Sequence, residues 1–84
     1  MMIHLVTKVE ARGYVLICYF GGGEVVEYDM SDIASETGPM SQPLKDQKFF
    51  QKVFLESGTP TWPNGYDVCP ETIYQHGKRR TVAA

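Results

Sequence analysis

Apolar residues recur at every second position through the first third of the chain. Over residues 3–9, Ile3, Leu5, Thr7 and Val9 fall on one side, and His4, Val6 and Lys8 on the other. That period of two is a strand's. Ala11-Arg12-Gly13 can turn the chain. Residues 14–20 follow as a run that is apolar on both faces, which predicts a central strand covered on one side and partly covered on the other. Gly21-Gly22-Gly23 permits positive φ, and residues 24–28 alternate again, so the first half predicts a three-stranded antiparallel meander.

The second half is more broken. Asp29 or Ser31 can cap a short helical turn through Ile33, and residues 36–43, with Gly38, Pro39 and Pro43, predict a loop. Asp46 can accept the free N–H groups of a helical turn carrying Phe49 and Phe50. Residues 53–56 and 59–62 predict a second hairpin turned by Ser57-Gly58, with Pro60 at an edge or with its N–H side outward. Pro70-Glu71 suits the first turn of a helix, Asp67 is expected to reach that helix's N-terminus, and Gly77 is expected to end it as a left-handed cap. Together these elements predict a single α+β domain over residues 1–76, followed by a mobile basic tail over 77–84. Its antiparallel sheet should hold about five strands, with two or three short helices.

Composition narrows the class of protein. Eighty-four residues, 43% of them hydrophobic, build one small core. No apolar run approaches the roughly 20 residues that cross a bilayer, and no signal-peptide pattern opens the chain. With only Cys18 and Cys69, a disulfide scaffold is not indicated and a reducing cytoplasm is the expected compartment. Net charge is −2, but Lys78, Arg79 and Arg80 account for +3 of it, which leaves −5 on residues 1–76. An acidic body with one small cationic cluster makes nucleic acid an alternative partner rather than the first one.

The segment Trp62-Pro63-Asn64-Gly65-Tyr66-Asp67, followed by Pro70-Glu71 and Tyr74, carries a family pattern. With Gly21–Glu24, Asp29 and Phe49, it resembles a small bacterial family known as domain of unknown function 2442, over roughly residues 3–76. The resemblance implies a small α+β fold and is closest to the family's standalone type. Standalone members are often encoded beside another short protein, which implies a paired, toxin–antitoxin-like arrangement. It implies no catalytic residue.

Trp62, Asn64, Tyr66 and Asp67 are the candidate partner or ligand contacts. The competing reading buries Trp62 against Ile73 and Tyr74 and uses Asn64-Gly65 as a tight turn. Lys78, Arg79 and Arg80 are candidate phosphate contacts. Gly21-Gly22-Gly23 precedes a strand, not a helix, so it reads as a hairpin turn rather than a phosphate cradle. Cys18, Cys69, His4 and His76 lack metal-ligand spacing, and Cys69 lacks an identifiable base, so neither a metal, a cofactor nor catalysis is expected. The expected role is a non-enzymatic protein-interaction or regulatory module that works with a small neighbouring-gene protein or with itself. A nucleic-acid-associated regulator and a small-ligand binder at Trp62 are the alternatives.

Overall fold

The computed structural model describes residues 4–80. Six strands form two antiparallel sheets rather than one sheet of five. β1 (Val6–Arg12), β2 (Val15–Phe20), β3 (Val25–Asp29) and β6 (Lys78–Arg79) lie in that order in the larger sheet. β4 (Phe54–Glu56) and β5 (Thr59–Thr61) make the separate hairpin. Two α-helices, α1 (Gln47–Phe50) and α2 (Pro70–His76), and 3-10 turns at Ser31–Ser35 and Gln42–Lys45 complete an α+β fold.

The meander forms as its alternation predicts. Leu16, Cys18 and Phe20 of β2 point into the core, while Ile17 is buried on the opposite face between Glu10 of β1 and Glu27 of β3. β1 departs from a strict period of two. A register shift between Val6 and Lys8 puts both Val6 and Val9 on the core side. The expected pairing of Val9 with Leu5 and Thr7 is therefore interrupted, because a bulge absorbs one residue and reverses the side-chain order. Ile3 lies outside the described residues.

Local signals hold elsewhere. Asp46 caps α1 as expected, its Oδ1 accepting the Lys48 N–H at 2.9 Å. The 3-10 turn at Ser31–Ser35 instead starts at Met30 with no side-chain cap, and Asp29 Oδ1 accepts the Ser31 N–H at 2.8 Å just ahead of it. Pro60 is buried in β5, and its carbonyl accepts the Val68 N–H. Since a strand residue's N–H and C=O point the same way, the donor that proline lacks faces away from β4, as expected.

Residues 78–80 do not form the mobile tail expected of them. Lys78 and Arg79 pair with Glu27 and Val26 as β6, and the Arg80 N–H donates to the Val25 carbonyl. These three cations belong to the sheet, and residues 81–84 lie outside the described part. Gly77 is not a left-handed cap either, with φ −75° and ψ 168°. No helix among the described residues is long and apolar enough to cross a membrane.

Candidate functional site

The Trp62 corner divides into a core half and a surface half. Trp62 is 0% exposed; its Nε1–H donates to the Phe50 carbonyl at 2.8 Å, and its ring packs on Phe50 and edge-on to Tyr66. It shares the core with Ile73 as expected, but its ring partners do not include Tyr74, which turns to His4, Phe20 and Arg79 instead. Asn64 is equally structural. Its Nδ2 donates to the Met40 carbonyl and its Oδ1 accepts the Tyr66 N–H, while Gly65 takes φ +90° in the turn. The Asn-Gly pair thus ties the turn to the 36–43 loop.

Asp67 is exposed, and Tyr66 is half-buried with one side on Trp62. With Tyr28, Asp29, Met30, Asp32, Ile33, Glu36, Val68 and Cys69 they line a cleft of about 390 Å³. β3, the 3-10 turn after it and the segment entering α2 each supply one wall. Four carboxylates (Asp29, Asp32, Glu36 and Asp67) share this cleft, with no Lys, Arg or His in its lining. The Ser31 backbone N–H, then its side chain, holds the Asp29 carboxyl below its usual range. Burial, followed by the charge of Glu36, raises the Tyr66 phenol above its ordinary value. Asp67 joins three carboxylates of a segment that ends some thirty residues before it, and no spacing along the chain signals that meeting. Asp67 was expected to cap α2, but its carboxylate is exposed and α2 has no side-chain cap.

Glu71, in the first turn of α2, does not cap the helix either; it ties that end to the N-terminal segment. It accepts the His4 backbone N–H at 3.0 Å and meets His4 Nδ1 at 2.6 Å. The His4 ring stacks on Tyr74 with centroids 3.8 Å apart, Arg79 lies over the Tyr74 ring at 4.3 Å, and Tyr74 donates to Glu24 Oε2 at 2.9 Å. A histidine oriented by a carboxylate is one half of a base–nucleophile arrangement. The hydroxyl lining the adjacent groove, Thr7, instead donates to the Tyr19 carbonyl. The cluster reads as a joint between chain segments.

That joint has a pH signature. The backbone bond from His4, then its side-chain bond, holds the Glu71 carboxyl below its usual range. A carboxyl whose folded pKa lies below its unfolded value contributes stability above the unfolded pKa, and loses it as pH falls through the folded one. Urea midpoints of the wild type should therefore fall more steeply than those of Glu71→Gln as pH drops below the glutamate range. Parallel pH profiles would contradict this role for Glu71.

The remaining sequence candidates separate. Lys78 lies opposite Glu27, Arg80 Nε meets Glu27 Oε2 at 2.5 Å, and Arg79 is committed to Tyr74. Cys18 is buried, and burial pushes its thiol up to about 12, which makes it an inert core residue. Cys69 is exposed at the rim of the cleft. Among the described residues no group of three or more His, Cys, Asp or Glu side chains is placed to hold a metal ion.

Residues 6–79 match the model of a family described as Protein of unknown function (DUF2442). No curated protein and no solved structure matches the chain.

Proposed function

Because the chain belongs to the DUF2442 family, whose description assigns no activity, we propose a role from its own surface: a non-enzymatic protein-interaction or regulatory module that receives a cationic segment of a small partner protein. The observation that carries this reading is the cleft in which Asp29, Asp32, Glu36 and Asp67 surround Tyr28 and Tyr66 without a cation of the chain's own. Gathering like charges raises the free energy of the empty cleft, and a Lys or Arg side chain entering it relieves that repulsion. The two tyrosine rings add surfaces on which a cation can stack. In the cytoplasm, where Cys18 and Cys69 remain reduced, the module would form one half of a small-protein pair.

The test is an affinity pull-down of the tagged protein from its own host, compared with the Asp32→Asn/Asp67→Asn variant. The expected result is a small basic protein that the wild type retains and the variant binds about tenfold more weakly. That is the loss of two partly screened charge contacts. Retention that Asp32→Asn/Asp67→Asn leaves unchanged would overturn the cleft as the contact.

The nucleic-acid alternative makes the opposite forecast, with binding lost in Lys78→Ala/Arg80→Ala and weakening steeply with salt. Point substitutions are needed because deleting the segment would remove β6 from the sheet. Against this alternative stand the acidic body and the engagement of Arg79 and Arg80 within the chain. Small-ligand binding on Trp62 is disfavoured by the closure of that ring in the core.

A further inference from the structure

The open side of β1 has a chemistry that the cleft does not use. Phe20 N–H donates to the Glu24 carbonyl and Met30 N–H to that of Tyr14, so the even-numbered residues of β2 direct their backbone toward β3. Val15, Ile17 and Tyr19 therefore bond toward β1, where Arg12, Glu10 and Lys8 stand opposite them. That leaves the N–H and C=O groups of Val9 and Ala11 pointing outward, because β1 ends the sheet. One end of this edge is closed by the Val6 N–H, which donates to the Gly58 carbonyl at 3.1 Å.

Charges alternate along the outer face of the same strand, as Lys8, Glu10 and Arg12. A second copy laid antiparallel along this edge must match outward-pointing residues with each other, which leaves three registers to compare. Centring on Glu10 sets Glu10 against Glu10 once and Lys8 against Arg12 twice, so all three charged pairs repel. A Val9 centre sets Lys8 against Glu10, but brings Arg12 of the second copy to Val6, where Gly58 already occupies the edge. The Ala11 centre sets Glu10 against Arg12 twice and avoids Gly58. It also brings Val9 beside Gly13 of the second copy, where a Cβ would meet nothing within 4 Å.

We propose that the protein self-associates as a two-fold dimer through its β1 edges, centred on Ala11. Glu10 of each copy then faces Arg12 of the other, and two four-stranded sheets become one sheet of eight. The like-charge register centred one residue away, on Glu10, makes the strand selective, because its charges repel a copy shifted to it. The contact is short, so the dimer is in concentration-dependent equilibrium with the monomer. It does not rest on the cleft reading.

Sedimentation velocity across a concentration series tests this. Wild type should shift from monomer to dimer, and Glu10→Lys, which faces a cation with a cation, should weaken the dimer about tenfold or more. The exchanged pair Glu10→Arg/Arg12→Glu should restore it, because opposite charges again meet across the two-fold axis. Ala11→Pro should abolish it while leaving the circular dichroism spectrum unchanged, since the donor it removes points away from β2. A wild type that stays monomeric throughout would overturn the proposal. So would a dimer indifferent to Glu10→Lys, or one that the exchanged pair fails to restore.

Discussion

Trp62→Ala should cost about 4 kcal/mol of folding free energy, the range for emptying a fully buried large aromatic site. A chain of this length holds roughly 4–13 kcal/mol in total, so the variant should lose from about a third to all of its stability. The loss has two parts. The ring leaves a cavity against Phe50 and Tyr66, and the Phe50 carbonyl keeps only the Val53 N–H, at 3.4 Å, in place of the 2.8 Å bond from the indole. Trp62→Phe removes the hydrogen bond but keeps most of the ring, and should cost about 1–3 kcal/mol. Urea denaturation followed by far-UV circular dichroism reads both, with Tm falling by roughly 20 °C for the alanine variant. Unchanged midpoints would mean that Trp62 contributes nothing to the core and is free to serve a partner.

Gly77→Ala should cost about 2–3 kcal/mol, for a reason unrelated to backbone freedom. Its φ of −75° is open to any residue. A methyl group there would instead lie 2.6 Å from the Ile73 carbonyl oxygen and 3.0 Å from that of Glu27, and would overlap Val26 Cγ1. Two of those three neighbours are backbone and cannot rotate away, so α2 must lift from β3. That movement strains the pairing of β6 with Val26 and the stack of Arg79 on Tyr74. Asparagine separates the explanations: it is tolerated at a left-handed helix cap but carries the same offending Cβ. Gly77→Asn should be at least as damaging as Gly77→Ala, whereas Gly13→Asn, at φ +57° with open space around it, should be nearly neutral. A stable Gly77→Asn would contradict close packing as the reason for this glycine.

The candidate site shows where sequence reasoning stops. Tyr66 and Asp67 were legible as candidate contacts beside Trp62 and Asn64, and Asp29 as a group at the turn after the third strand. Their meeting was not, because the cleft exists only once β3 and the segment entering α2 lie side by side. Trp62 and Asn64 carry the same residue types that build binding sites, and only burial distinguishes them from Tyr66. The basic run at Lys78–Arg80 read as a tail because nothing within it signals that Val25, Val26 and Glu27 supply a vacant edge.

The sequence by itself determined the elements whose cause is local. These are the meander with its glycine turn, the Ser57-Gly58 hairpin, the Asp46 cap, the proline-opened α2, and the family carried by the Trp62-to-Tyr74 block. Each depends on a side chain and a backbone group a few residues apart. The tertiary structure alone decided the bulge in β1, the partners of Trp62, the lock of His4 on Glu71 across 67 residues, the crowding at Gly77 and the acidic cleft. Those features depend on which distant surfaces meet, and packing energy selects among many local arrangements that propensity leaves nearly equal.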